Sequence, residues 1–301
     1  MTAHSSLASP GATRAVLEEF GLAAKKRLGQ NFLVSDAVVG RILELAELSP
    51  NDVVLEVGPG IGTLTSALLP RAGAVVAIEA DHDLPPVLAA TCQGLGRMAL
   101  IEGDALRVGA GELRQAVAGL GEPSLPELPN KFVSNLPYQV AATLVLKHLF
   151  ETPAIGRDVV MVQAEVADRI AARPGTKAYG AYTAKLALVG QVTGRFAVGP
   201  QNFMPAPHVD SAVVRIDRKP MASPVTGEPL SSEELELCRR VIDAAFAQRR
   251  KTIRNSCTSS GISAEALDPA LAACGIDPRT RAEALEPEAL VELALKVGET
   301  S

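Results

Sequence analysis

The chain has 301 residues, 47% hydrophobic and 21% charged, with a formal net charge of −5 at pH 7. That is enough to bury a substantial core, and it favours a soluble globular protein of two domains. No uninterrupted apolar run approaches membrane-spanning length, so no membrane partner is expected. The four cysteines (Cys92, Cys238, Cys257, Cys274) form no Cys-x-x-Cys pair, and the four histidines are dispersed. This fits reduced thiols in a cytoplasm, and neither a metal site nor a Ser-His-Asp arrangement is expected.

Residues 1–12 are small and polar, with neither a basic nor an apolar region of a secretory peptide, and are expected to be a disordered leader. Lys25, Lys26 and Arg27 then form a basic knot. From about residue 52 to 217, short apolar or β-branched runs alternate with helix-compatible ones. Strands are predicted at 53–57, 75–79, 98–101, 132–134 and 159–162, with a late edge strand at 211–216. Helices are predicted at 64–69, 84–90, 112–118, 141–150 and 165–172. Such alternation implies parallel strands joined by right-handed crossovers, hence an open α/β sheet with helices on both faces.

After residue 219 the pattern changes. Residues 220–232 are rich in Pro, Ser and Gly and read as a linker, and Ser231-Ser232-Glu233-Glu234 reads as a helix start. Beyond it the chain is helix-patterned, broken at Gly261, Pro269, Gly275, Pro278 and Pro287. The expected organisation is a leader (1–12), an α/β domain (13–219), a linker (220–232) and a small all-α domain (233–301). The last carries a second basic stretch, with Arg239, Arg240, Arg249, Arg250, Lys251 and Arg254 opposed within it by Asp243. Such a block is either a solvated helical face or a phosphate-binding one; two in an acidic chain point to nucleic acid, because phosphate binding depends on local clusters rather than net charge.

Four strand ends carry chemistry. Gly58-Pro59-Gly60-Ile61-Gly62 follows the first strand, and its glycines let a ligand lie against the backbone. Glu79 ends the second strand, where a carboxylate can accept both ribose hydroxyls, and Asp104, after the third, can accept from an adenine amino group. Asn135-Leu136-Pro137-Tyr138 follows the fourth and sets an amide acceptor beside an aromatic ring. Open α/β sheets bind ligands beyond these carboxyl ends. The loop places Thr63 where a dinucleotide fold prefers a third glycine, and no Gly-Lys-Ser/Thr follows; S-adenosylmethionine, which has no pyrophosphate, fits it better.

Residues 26–33 (KRLGQNFL), 56–62 (EVGPGIG), 103–105 (GDA), 135–138 (NLPY), 203–214 (FMPAPHVDSAVV) and 248–256 (QRRKTIRNS) occur in the order seen in the KsgA family, which this sequence resembles from about residue 24 to 290. These are small-subunit ribosomal RNA adenine dimethyltransferases. The resemblance implies a Rossmann-like S-adenosylmethionine-dependent methyltransferase sheet and transfer of methyl groups to N6 of two adjacent adenosines in a loop near the 3′ end of that rRNA. It further implies donor contacts by Asn31, Leu33, Gly58, Gly60, Glu79, Asp104 and Asn135, with Asn135, Leu136, Pro137 and Tyr138 serving the acceptor. Phe203 is the candidate for the adenine's other face, or else a core residue. Lys25, Lys26, Arg27, Arg249, Arg250, Lys251 and Arg254 are expected to contact RNA. Leu28, Ala206 and His208 depart from the commoner Phe, Pro and Lys, and Ala141-Ala142-Thr143 from Ser-Thr-Pro.

The expected partner is small-subunit rRNA, within a partly assembled subunit, bound by a cytoplasmic monomer without a metal. Two alternatives stand beside it: an antibiotic-resistance type of large-subunit rRNA adenine N6-methyltransferase, and a non-catalytic ribosome-assembly factor. A NAD-linked dehydrogenase is disfavoured by Thr63 and by the lack of an evident hydride-site acid or base.

Overall fold

A computed structural model describes residues 3–25 and 29–299. In chain order its elements begin with α1 (Pro10–Glu19), β1 (Phe32–Leu33), α2 (Asp36–Ala46), β2 (Val53–Val57), α3 (Thr65–Leu68) and β3 (Ala74–Glu79). Next come α4 (Pro85–Thr91), β4 (Met98–Glu102), α5 (Ala110–Ala118), β5 (Lys131–Asn135), α6 (Ala141–Glu151), β6 (Arg157–Gln163) and α7 (Ala164–Ile170). They are followed by α8 (Ala181–Ala187), β7 (Gly190–Val198), β8 (Phe203–Met204) and β9 (Ser211–Arg218). The chain closes with α9 (Ser232–Phe246), α10 (Ile253–Ser259), α11 (Ala264–Ala273) and α12 (Pro287–Gly298).

Internal contacts divide the chain into two compact units, one of residues up to 167 with 192–217, the other of 168–191 with 218 onward. In the first, seven strands lie in the order β4-β3-β2-β5-β6-β9-β7. β2 and β3 are buried along their whole length, which is why they read as unbroken apolar runs: a parallel strand covered on both faces has no polar side. β2 through β6 pair in parallel, while β9 runs antiparallel to β6. The expected edge strand at 211–216 is therefore interior, and the edge is β7. β7 escapes a sequence reading because it alternates buried and open residues around Gly194 and Arg195.

The leader expected to be disordered is ordered from residue 3. The N–H groups of His4 and Ser5 donate to the Asp36 carboxylate, Ser5 Oγ lies 2.9 Å from Ser66 Oγ, and Ser9 caps α1 by accepting from Ala12 N–H. Small residues make this possible, since a Cβ on Gly40 would come within 2.7 Å of the His4 ring.

In the second unit α8 packs with α9 and α12. The Tyr179 ring meets Phe246 edge-on at 5.7 Å, and its hydroxyl donates to the Leu285 carbonyl. Residues 168–191, expected in the α/β domain, thus group with the C-terminal helices; an excursion of the chain leaves no mark in local composition. The 220–232 stretch folds back on itself, Ala222 bridging Pro229 and Ser223 N–H donating to the Glu228 carbonyl. Ser231 caps α9 reciprocally with Glu234. Pro269, expected to break a helix, lies inside α11, whereas Pro287 opens α12.

Candidate active site

The chain runs outward from β2 to β3 and β4, then returns to β2's other side with β5 and β6, so the strand order reverses between β2 and β5. A crevice forms at the carboxyl ends of strands on either side of such a reversal. The β2–β5 ladder registers Val54 with Lys131 and Leu55 with Phe132. Beyond it Ser134 takes over: its hydroxyl accepts from Val57 N–H at 3.3 Å and donates to the Val57 carbonyl at 2.6 Å. One buried side chain therefore sets the separation of the two strand ends.

Gly58 and Gly60 both adopt left-handed φ, 69° and 63°. A Cβ on Gly58 would meet Pro137 at 3.2 Å, and one on Gly60 would meet the Phe32 ring at 3.3 Å. Glycine at both positions lets the turn nest between the tetrapeptide and β1. The cleft beyond is lined by Asn31, Leu33, Gly58, Gly60, Glu79, Asp104 and all of Asn135-Leu136-Pro137-Tyr138. Among the described lining residues there is no Lys or Arg, whereas Glu56, Glu79 and Asp104 are present. The electrostatics favour a cation and disfavour a phosphate.

Glu79 accepts from Asp81 N–H at 2.8 Å and from Gly60 N–H at 3.2 Å, which fixes its carboxylate at the mouth of the glycine turn. Burial raises its pKa, and those N–H groups oppose the rise. Asp104 is more open and is oriented by Leu106 N–H at 2.9 Å. On the cleft floor, burial pushes Glu56 up to about 8, with nearby Thr65 pulling down and Glu79 pushing further up. Thr65 sits close enough to favour the anion without closing a hydrogen bond, and Glu56 Oε2 and Thr63 Oγ1 also lack partners.

On the acceptor side the Asn135 amide N–H donates to the Asn31 carbonyl at 3.4 Å, so Oδ1 is the atom left for another group. Pro137's carbonyl is taken by Val140 and Ala141 N–H, opening α6. Among the described residues nothing donates to Leu136's carbonyl. Of the two carbonyls that could work beside Asn135, this leaves Leu136. The Tyr138 hydroxyl lies 2.6 Å from Ser211 Oγ, a fully buried partner that restrains the ring. Burial raises the Tyr138 phenol pKa, with the Ser211 bond opposing, so the hydroxyl stays protonated.

Other expected residues lie elsewhere. Phe203 pairs with Leu33 in the β1–β8 ribbon and is only 4% exposed within the main core, so in this structure its ring offers no stacking face. Lys25 is held by Asp81 and Asp83 rather than free for phosphate. Lys26 and Arg27 lie outside the described residues. In the second unit Arg249–Lys251 occupy the turn between α9 and α10, not a helix. Arg249 donates to the Lys177 carbonyl and Arg254 forks onto Asp268. Arg250 and Lys251 are exposed, and no bond ties their side chains to other described residues. Sequence reasoning missed Ser134, Glu56, Gln30 and Asp81. Of these Gln30 and Glu56 carried a signal, inside residues 26–33 and 56–62.

The reversed strand order, glycine turn and strand-end carboxylates define a Rossmann-like methyltransferase. The profile of the family described as "Ribosomal RNA adenine dimethylase" matches residues 21–297, and the chain belongs to that family. A protein of Thermobifida fusca named ribosomal RNA small subunit methyltransferase A is 41% identical over 289 residues, 94% of this chain and 94% of its own length. The protein of that name from Nocardia farcinica is 42% identical over 294 residues, covering 96% of this chain and 94% of its own. Among solved structures, a dimethyladenosine transferase from Plasmodium falciparum has a TM-score of 0.71 at 22% identity, covering 89% of this chain and 98% of its own. The 23S rRNA methyltransferase ErmE has a TM-score of 0.64 at 25% identity, covering 89% and 100%. The protein is an rRNA adenine dimethyltransferase.

Proposed function

We propose that this chain transfers methyl groups from S-adenosylmethionine to N6 of two adjacent adenosines in a loop near the 3′ end of small-subunit rRNA, acting as a cytoplasmic monomer on a partly assembled subunit. The observation that carries the reading is the Asn135 amide, whose N–H is committed to Asn31 while Oδ1 and the Leu136 carbonyl are left beside the carboxylate-lined cleft. The small-subunit assignment is supported by the names of relatives at 41% and 42% identity.

The residues fit the donor. In this reading Glu79 accepts the ribose hydroxyls and Asp104 an adenine amino group, while the absence of cations among the described lining residues suits a positively charged ligand better than a nucleotide phosphate. When bound, the donor supplies an electrophilic methyl on a sulfonium. An adenine N6 lone pair is delocalised into its ring and is a poor nucleophile until the nitrogen pyramidalises. Asn135 Oδ1 and the Leu136 carbonyl accept the two N6 hydrogens in a tetrahedral arrangement and expose the lone pair. Fixed acceptors of this kind are each worth about two to three decades in rate, and alignment contributes a further large share. Tyr138, restrained by Ser211, stacks on the base, which recovers about 1–3 kcal/mol of the unstacking cost. The methylated amine is acidic enough to lose its proton to water, so no strong general base is required.

Radiolabelled methyl transfer to undermethylated small and large subunits tests the reading. Label confined to the small-subunit rRNA, as dimethyladenosine, is expected. Label on the large subunit, or on neither, would overturn it.

A further inference from the structure

Lys25 was expected among the RNA contacts, yet its surroundings argue for another role. Its ammonium lies 2.5 Å from Asp81 Oδ1 and bonds Asp83 Oδ2 as well. Asp81 is only 5% exposed, and its other oxygen accepts from Gln30 Nε2 at 2.7 Å. Gln30 Oε1 in turn accepts from the Lys25 N–H at 2.8 Å, closing a ring of bonds between the two segments. Two connections lead from that ring into the cleft. Asp81 N–H donates to Glu79 Oε1, and Gln30 precedes Asn31, whose carbonyl accepts from the Asn135 amide.

We propose that Lys25 is a positioning residue for the donor half of the cleft: with Gln30 and Asp81 it ties residues 29–33 to the turn that carries Glu79, and it makes no RNA phosphate contact. This rests on the reading of the cleft as the S-adenosylmethionine site. Charge arithmetic supports it. One ammonium bonded to two carboxylates leaves a locally negative group, which repels phosphate and so displaces none of the counterions condensed on RNA. The bonds to Asp81 and Asp83 raise the Lys25 pKa. Burial pushes Asp81 up, but Lys25, the Asp83 N–H and Gln30 outweigh it and hold the carboxyl below its ordinary value. The pair is therefore ionised throughout the neutral range. Asp81's burial and its added hydrogen bonds set it apart from an exposed surface ion pair.

The test compares Lys25→Met, Lys25→Arg, Asp81→Asn and Gln30→Ala in the full chain. Three quantities are read: calorimetric affinity for S-adenosylmethionine, kcat and donor KM in the transfer assay, and the salt dependence of binding to undermethylated small subunits. Lys25→Met is expected to weaken donor affinity and raise donor KM about fivefold, with kcat changed far less. Lys25→Arg should recover most of the loss, and Asp81→Asn should match it without adding to it in the double variant. The salt slope of subunit binding should not move. Unchanged donor affinity in Lys25→Met overturns the proposal, and a reduced salt slope would return Lys25 to the RNA contacts. Should Lys25→Met lower the melting temperature, Asp81→Asn, which breaks the ion pair while keeping the side chain's size and the Asp81 N–H bond to Glu79, decides the matter by the same readings, whereas Gln30→Ala, at a residue that lines the cleft itself, should weaken donor affinity as well. Failure of the wild-type protein to bind S-adenosylmethionine would instead overturn the donor-site reading itself.

Discussion

The cleft of the first unit and the basic turn of the second treat their polar groups in opposite ways. In the cleft the groups around donor and acceptor are already bonded: Ser134 to Val57, Glu79 to Gly60 and Asp81, Asn135 to Asn31, Tyr138 to Ser211. In the turn Arg250 and Lys251 stand in solvent with their charges uncommitted, beside Arg249 and Arg254, which are tied down. The contrast fits the work proposed for each surface. Chemistry gains from groups that need no reorganisation as the reaction proceeds, whereas phosphate binding gains from releasing counterions condensed on the RNA, which a cation already paired with a carboxylate does poorly.

The largest test of this contrast is Asn135→Ala. Transfer should fall by about two to three decades or more, while donor affinity stays within severalfold; radiolabelled turnover and calorimetry measure the two. Near-normal turnover would end the idea that the pre-bonded amide activates the acceptor.

A smaller effect is expected in the second unit. Arg250→Ala with Lys251→Ala should weaken subunit binding and lower the salt slope by about one to two, close to one released counterion per lost contact. Arg254→Ala should leave that slope nearly unchanged, because its guanidinium is engaged by both oxygens of Asp268 at 2.7 and 2.8 Å. Equal slopes lost at Arg254 and Arg250 would erase the distinction between committed and uncommitted cations.

The smallest effect concerns Glu56, a cleft carboxyl that lacks a full set of partners. Its folded pKa of about 8 lies above the ordinary value of 4.5, so the native state holds a proton that the unfolded chain has lost. Stability from this group is therefore greatest below the unfolded pKa, declines as pH rises through that interval, and levels off above the folded pKa. Glu56→Gln removes the burden of ionisation. Its melting temperature relative to wild type should rise by a few degrees more at pH 9 than at pH 5.5, measured without donor. A gain independent of pH would mean that Glu56 is not the titrating group.

Much of this arrangement is legible in the sequence. Parallel strands covered on both faces become apolar runs, so 53–57 and 75–79 were read correctly to within a residue. The carboxyl ends of those strands, with Gly58, Glu79, Asp104 and Asn135, do line one cleft. What failed did so for identifiable reasons. Phe203 sits in a suggestive motif, but a motif does not reveal which way a ring is buried. Lys25 looks like free charge because its counter-charges, Asp81 and Asp83, lie more than fifty residues away. Ser134 is an ordinary strand residue until Val57 is placed across from it.

By itself the sequence determined the periodicity of burial, the glycine positions that need left-handed φ, and the identities of the groups at the strand ends, because these depend on residues close in the chain. Only the tertiary structure decided which of those groups are already bonded. Hydrogen bonds and ion pairs act over about 3 Å, and the chain brings Lys25 to Asp81, Ser134 to Val57 and Tyr138 to Ser211 only once the sheet has formed.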